Sequence, residues 1–274
     1  MNLPFSDPIF KATSWCKDFW ITPETAEQWA DRISAWIKKR VTQSGFDGVV
    51  IGMSGGLDSA VVGALCARGD VPVYAVMMPY GDSMRWSGSF ERAMEMVNKF
   101  GWEHEVIDIK PIYQAFEASR DGVFQRRATD KNRELAFMNA CARIRTDMLR
   151  NVAQLLGNWL VIGTDTLTEI MLGYFTKDGN GCDLRPTGML LKKEMRMLAY
   201  VIGVVLSIIQ AVPSAELRKG QTDEGELGFL LDCADEYIRY GTCRDKAIDN
   251  KIADVIRRTQ HKRDAVPMFM GMAA

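Results

Sequence analysis

One short segment, Gly52-Met53-Ser54-Gly55-Gly56-Leu57-Asp58-Ser59, combines groups that bind anions with a group that should repel them. The paired glycines let successive backbone N–H groups turn inward as a nest. The Ser54 and Ser59 hydroxyls add donors, and a helix starting here would add the positive end of its dipole. This is a phosphate cradle. Asp58 stands inside it, and a bare carboxylate there would oppose phosphate. The conflict disappears if Asp58 binds Mg²⁺ that bridges to phosphate oxygens. No Gly-Lys-Ser/Thr closes the segment, so it is not a P-loop, and its glycine spacing is not that of the dinucleotide fingerprint. The competing reading is a tight strand-to-helix turn with Asp58 as a helix cap.

A second carboxylate, Glu169, follows Gly163-Thr164-Asp165, and Lys177 and Asp183 flank the glycine-containing loop 179–181. Two acids converging on one edge of a sheet suit a Mg²⁺ that keeps its other positions for phosphate and water. Glu169 could instead be a first-turn acid favoured by a helix dipole, and Lys177 and Asp183 could belong to a solvated turn.

The elements that must position these groups alternate. Gly48–Met53 reads as a strand, Ser59–Ala67 as an apolar helix, Val73–Met78 as a second strand ended by Pro79, Phe90–Phe100 as a helix and Glu105–Ile109 as a third strand. Arg133–Leu156 has the length of a long helix, Trp159–Gly163 reads as a fourth strand and Leu167–Tyr174 as a short helix. Thr22 to about Gln43 forms an opening helix with Thr22-Pro23-Glu24 at its start. Short apolar strands separated by helices predict an α/β fold, a doubly wound parallel sheet with helices on both faces, whose ligands bind beyond the carboxyl ends of the strands. The last third is predicted helical: Leu191–Val201, a Pro/Ser-containing segment 212–221, Glu224–Tyr237 and Arg244–Thr259. A Met-rich tail from Ala265 reads as a packing or frayed terminus.

Composition excludes several classes. With 34 Lys+Arg against 35 Asp+Glu the net charge is −1, so neither a nucleic-acid-coating protein nor an acidic disordered tail is indicated, and no nucleic-acid partner is expected. The run 198–211 is interrupted by Gly203, Ser207 and Gln210, short of the roughly 18 apolar residues of a membrane span. Cys16, Cys66, Cys141, Cys182, Cys233 and Cys243 form no framework spacing, and the N-terminus lacks an export pattern, so free thiols and a cytoplasmic location are expected. Two histidines, His104 and His261, are too few for a histidine metal site or a multi-histidine relay. With no repeat or linker, residues 1–274 are expected to form one domain.

The SGGxDS core of the first segment resembles the signature of ATP pyrophosphatases of the adenine-nucleotide α-hydrolase type, which cleave ATP between its α and β phosphates. Downstream, Gly163-Thr-Asp-Thr-Leu-Thr-Glu169, Gly173-Tyr-Phe-Thr-Lys177, Pro213-Ser214-Ala-Glu-Leu, Gly220-Gln-Thr-Asp-Glu224-Gly-Glu-Leu-Gly228 and Arg258-Thr-Gln-His261-Lys262-Arg263 closely resemble the NAD synthetase family over about Thr22 to Arg263. The resemblance implies ammonia-dependent amidation of deamido-NAD through an adenylate, with ATP as co-substrate and release of AMP and pyrophosphate. It implies ATP contacts from residues 52–59, Thr164, Lys192 and Ser214, Mg²⁺ on Asp58 and Glu169, catalytic roles for these acids and Lys192, and deamido-NAD contacts from Arg143, Lys177, Asp183, His261 and Lys262. It implies a homodimer and a lid over Ser214–Asp223 that shields the adenylate from water. The synthetase-like region takes up the chain, so nitrogen is expected as free ammonia or from a separate donor protein. Two positions depart from the family pattern. The loop Lys177-Asp-Gly-Asn180-Gly-Cys182-Asp183 is one residue shorter than K-x-G-D-G-G-x-D, and Cys141 replaces a Gln or Lys in the helix motif Asn139-Ala-Cys-Ala-Arg143-Ile-Arg145. The alternatives are another amidating or tRNA-modifying ligase of the same superfamily, or a nucleotide-binding regulatory protein without turnover.

Overall fold

Four five-residue-or-shorter strands lie side by side in the order β3-β2-β1-β4, all parallel: β1 (Gly48–Gly52), β2 (Val73–Met77), β3 (Glu103–Val106) and β4 (Trp159–Val161). This computed structural model describes residues 21–22, 24–83, 87–120, 122, 128–211 and 222–269. The chain walks from β1 to β2 to β3 in one direction, then returns across the sheet to place β4 on the other side of β1. That reversal opens a crevice at the carboxyl ends of β1 and β4, the switch point where α/β sheets bind ligands.

Period-two alternation decides which side chains meet which helices. Val49, Ile51, Val73, Ala75 and Met77 point to one face. There they join a core with α1 (Ala26–Gln43), α2 (Leu57–Arg68), α3 (Ser89–Phe100) and the later helix α7 (Lys192–Val201). Val50, Val76 and Val161 point to the other face, packed by α4 (Lys110–Ala118) and the long α5 (Asp130–Leu155). Beyond β4 follow α6 (Leu167–Leu172), α8 (Leu206–Ile209), α9 (Asp223–Leu227), α10 (Leu231–Tyr240) and α11 (Lys246–Arg258), closed by a 3₁₀ turn at Gln260–Lys262. Leu172, Phe229, Leu231, Ala234 and Ile252 form a separate small core among these helices.

The doubly wound parallel architecture and the helical final third agree with the sequence reading. The main differences are a split helix, a shifted strand and an added helix. The helix expected over Glu224–Tyr237 is two helices, because Gly228 takes a left-handed backbone (φ +71°) that ends α9. The third strand begins at Glu103. Its main-chain bonds still follow β2 past the assigned end, since the Ile107 N–H donates to Met77 O and the Ile109 N–H to Pro79 O. Every residue of β3 is exposed, and its Glu103-His104-Glu105 charges suit an unpaired sheet edge. Helix α4 was not foreseen; Pro111 in its first turn is the signal that marks it. The segment 212–221, with Ser214, lies outside the described residues, as does Cys16; the other five cysteines are free thiols. Among the described residues no helix is long and apolar enough to cross a membrane.

Candidate active site

The loop after β1 is closed by its own hydroxyls. The Gly56 N–H donates to Ser54 Oγ (3.2 Å), Ser54 Oγ and Ser59 Oγ are hydrogen-bonded (3.0 Å), and Ser59 Oγ donates to Gly56 O (3.1 Å). Gly55 must be glycine twice over: φ is +76°, and a Cβ would stand 2.0 Å from Ser89 O at the start of α3. Arg92 Nε donates to Gly55 O at 3.1 Å and fixes the loop from the side. Helix α2 then begins at Leu57 with Asp58 in its first turn, and the first N–H groups of a helix have no intrahelical acceptor. The N–H groups at the start of α2 can turn to phosphate oxygens, while the Ser54 and Ser59 hydroxyls are engaged with each other and with the loop backbone.

Glu169 comes from the opposite wall. The Thr166 N–H and Oγ1 both donate to Glu169 Oε2 (2.9 and 2.8 Å), while the Glu169 N–H returns a bond to Thr166 Oγ1, a capping box at the start of α6. Glu169 therefore is the first-turn helix acid of the bland reading, yet only with one oxygen. Its other oxygen accepts from Lys192 Nζ at 3.0 Å, and the same Nζ donates to Asp58 Oδ2 at 2.5 Å. Three side chains from the starts of three helices, α2, α6 and α7, thus meet beside the phosphate-binding loop. The Lys192 side chain is only 7% exposed, against 21% for Asp58 and 20% for Glu169.

Burial pushes the Asp58 carboxyl up, with the Lys192 ammonium pulling it back and the Glu169 charge adding to the rise. For Lys192, burial works against the charged form, but the two facing carboxylates outweigh it and hold the ammonium above its ordinary value. Asp223, buried at the start of α9, is a further acid that bears on both Asp58 and Lys192. Its pKa is raised by burial, and Tyr174 Oη holds it at 3.2 Å while donating to Glu226 at 2.6 Å. Asp223 lies inside the Gly220–Gly228 motif but was assigned no role from sequence, because nothing local says which face of so short a helix turns inward.

Asp58 Oδ1 is buried and accepts no hydrogen bond. Such an orphaned anionic oxygen, in an all-oxygen donor pair, fits a hard dication. Among the described residues no three His, Cys, Asp or Glu side chains cluster tightly enough to hold a metal by themselves. Two carboxylates leave most of an octahedral shell to other oxygens, which is how Mg²⁺ is usually held beside phosphates.

A cavity of about 300 Å³ opens next to the loop, between Gly52-Met53-Ser54 after β1 and Gly163-Thr164-Asp165 after β4. Met78, Arg145, Leu149 and Cys182 complete its walls. Thr164 lies three residues past the end of β4, on the wall of this cavity. Arg145, whose Nε donates to Met78 O at 3.0 Å, and Cys182, whose thiol burial raises, were not singled out. Cys182 Sγ packs where a Cβ on Gly163 would come within 2.5 Å.

The remaining candidates gather about a second locus. Arg143 Nε donates to Lys177 O (3.3 Å), Lys177 Nζ to His261 O (3.3 Å), and Lys262 Nζ to Gly173 O and Phe175 O (2.7 Å each). Gly173 takes φ +60°, and a Cβ there would stand 2.4 Å from Thr259 Cβ, so the chain ends of α6 and α11 touch backbone to side chain. The shortened loop is well tied: Asn180 Nδ2 and Arg185 Nε both donate to Asp165 (3.3 and 2.8 Å). Asp183 is engaged elsewhere, its Oδ1 3.7 Å from Arg150 Nη1. Its N–H donates to Val161 O, its Oδ2 accepts from the Val161 N–H at 2.8 Å, and so it closes the free edge of β4.

The comparisons with known proteins agree with this geometry. The NAD synthase family matches residues 29–266. The NH(3)-dependent NAD(+) synthetase of Mesoplasma florum is 36% identical over 241 residues, 87% of this chain and 94% of that protein. Among solved structures, the NMN synthetase of Francisella tularensis is 31% identical with a TM-score of 0.82, covering 92% of this chain and all (100%) of that one. The NH3-dependent NAD synthetase of Campylobacter jejuni, solved with nitrate, is 27% identical with a TM-score of 0.69 over 89% of this chain and 99% of that chain. A glycine- and hydroxyl-lined loop at the switch point, an Asp–Lys–Glu cluster beside it and similarity over nearly the full length converge on one assignment: the chain belongs to the NAD synthase family.

Proposed function

We propose that the chain uses ATP to join ammonia to the nicotinate carboxyl of deamido-NAD, forming NAD, AMP and pyrophosphate. The observation that carries this reading is the Asp58–Lys192–Glu169 cluster on the edge of the Gly55–Gly56 nest, within a chain of this family. In the first step the nicotinate carboxylate attacks the α-phosphorus and the bond to the β-phosphate oxygen breaks, giving an acyl adenylate and pyrophosphate. In the second, ammonia adds to the acyl carbon, loses a proton and displaces AMP.

The loop amides at residues 55–59 and the Ser54 and Ser59 hydroxyls hold the departing pyrophosphate, and Lys192 adds a positive charge to it. Asp58 and Glu169 would hold Mg²⁺, which when bound supplies charge neutralisation for the triphosphate. With no side-chain nucleophile in the scheme, the protein's contribution is positioning and electrostatics. Thr164 and the cavity wall receive the ATP nucleoside, with Ser214 as a further ATP contact. Arg143, Lys177, His261 and Lys262 hold deamido-NAD, with Asp183 at the loop's end. Exposed apolar residues Ile112 and Phe116 of α4 and Leu135 of α5 support a homodimer, and the free cysteines a cytoplasmic setting.

A second reading is favoured by the likeness to the Francisella NMN synthetase: the same amidation carried out on nicotinate mononucleotide. One experiment separates them. Pyrophosphate release from ATP, Mg²⁺ and ammonium is followed with deamido-NAD, with nicotinate mononucleotide and with neither, alongside formation of the amidated product. Release that depends on deamido-NAD and matches NAD formed supports the first reading; release only with the mononucleotide replaces it with the second, and no acceptor-dependent release refutes both.

A further inference from the structure

We propose that Asp235, on α10 and outside the reacting groups, is a positioning residue that holds Lys192 and Glu169 in register through Thr168, a role that rests on the function proposed above. Two of the three helix starts that build the cluster, those of α6 and α7, lie against each other. Asp235 ties these two turns together. Its Oδ1 accepts from Thr168 Oγ1 at 2.5 Å, and its Oδ2 accepts from the Lys193 N–H at 2.8 Å. Thr168 Oγ1 in turn accepts from the Lys192 N–H at 3.0 Å. The chain of bonds therefore runs Lys193 N–H to Asp235, Thr168 O–H to Asp235, and Lys192 N–H to Thr168. Thr168 immediately precedes Glu169, and Lys192 is the bridging base itself.

Thr168, Asp235 and Lys192 are buried, at 0%, 3% and 6% exposed. Linking two helices in a core needs no carboxylate, since apolar packing would do it without the penalty of burying an acid. That penalty is visible in Asp235, whose carboxyl burial pushes up to about 6. What a carboxylate adds is direction. Two acceptor oxygens on one rigid plane fix the Thr168 hydroxyl and the α7 amide relative to each other. The Lys192 ammonium, at the end of a flexible stem, can then meet carboxylates on two other elements at once. The Leu167 N–H to Leu190 O bond (2.7 Å) lies alongside and keeps the two segments together when the side-chain link is cut, so removing the link should shift the cluster rather than unfold it.

The test pairs kinetics with a signal from Lys192. Asp235→Asn keeps the shape but has one acceptor oxygen for two donors; Thr168→Val removes the hydroxyl and Thr168→Ser restores it. The expected result is a fall in kcat of roughly ten- to a hundredfold for Asp235→Asn and Thr168→Val, with KM for ATP changed much less. Thr168→Ser should stay near the unsubstituted rate, and the double variant should be no slower than the slower single, as expected of members of one chain of bonds. Lysine labelled with ¹³C at Cε, with the Lys192 signal assigned through Lys192→Arg, should show that signal displaced in Asp235→Asn and Thr168→Val and unmoved in Thr168→Ser. An unmoved Lys192 signal, a normal kcat in Asp235→Asn, or multiplicative losses in the double variant would overturn the proposal. If the unsubstituted chain releases no pyrophosphate with either acceptor, the proposed function fails, and the Lys192 signal still decides the role of Asp235.

Discussion

The two loci of charge are built in opposite ways. At the sheet's switch point, Asp58, Glu169 and Lys192 bind one another side chain to side chain, from the rigid first turns of three helices. Around the C-terminal turn, Arg143, Lys177 and Lys262 reach mainly backbone carbonyls, and Arg143, Lys177 and His261 make exposed contacts. A triad of two half-buried acids and one buried base is pre-organised for small, highly charged groups, where electrostatics in a partly dry site is strongest. A ring of cations resting on carbonyls holds its charge ready for a larger anion and gives up little when it turns to one. The contrast teaches that the first locus is tied side chain to side chain, while the second keeps its cations on main-chain carbonyls.

Breaking the first locus should have the largest effect. Asp58→Ala and Glu169→Ala are each expected to lower kcat for pyrophosphate release by on the order of a hundredfold or more, the scale for removing a transition-state charge contact. Near-normal rates in both would sink the Mg²⁺ assignment. Next, Lys177→Ala should raise KM for the deamidated acceptor by roughly tenfold while leaving KM for ATP within about twofold, measured by varying each substrate in turn. Equal shifts in both would erase the division between the loci. Smaller again is Lys262→Met, which removes a charged donor from Gly173 O and Phe175 O. A loss of about 2 kcal/mol, read as a few degrees in Tm, is expected together with a rise in acceptor KM. A fall in Tm with no change in acceptor KM would leave Lys262 as scaffold and remove it from the ligand contacts.

The smallest effect concerns pH. Asp235 has its carboxyl raised by burial to about 6, so between the ordinary carboxylate value near 4 and that raised value the folded chain binds more protons than the unfolded one. Stability from this group is present below about pH 4 and is lost as pH rises toward about 6. Replacing it with Asn should flatten the fall of Tm across that window. An unchanged Tm profile would show that Asp235 titrates at its ordinary value.

Most of the fold was legible because its signals are local. Apolar runs of strand length at Gly48–Gly52 and Val73–Met77, Pro79 after the second and the glycine pair at Gly55–Gly56 announce strands, a stop and a βα turn one at a time. The family motifs likewise pointed to Asp58, Glu169, Thr164 and Lys192 before any coordinates. What stayed hidden was of another kind. That Gly228 splits a predicted helix depends on one dihedral that the motif Gly225-Glu-Leu-Gly228 does not reveal. That Asp183 serves β4 as a strand edge, and that Asp223 faces the triad, depends on which way a loop and a five-residue helix turn. Asp235 carries no motif at all.

Sequence alone therefore determined the kinds of groups available, the parallel α/β plan and the glycine turn that follows the first strand, since each follows from short-range periodicity and backbone chemistry. Tertiary structure alone decided their meeting. Asp58 and Lys192 are 134 positions apart and Thr168 and Asp235 are 67 apart, yet they bond at 2.5 Å in both cases. Such contacts are set by how the switch-point crossover and the packing of α6, α7 and α10 bring helix starts together, which no local pattern encodes.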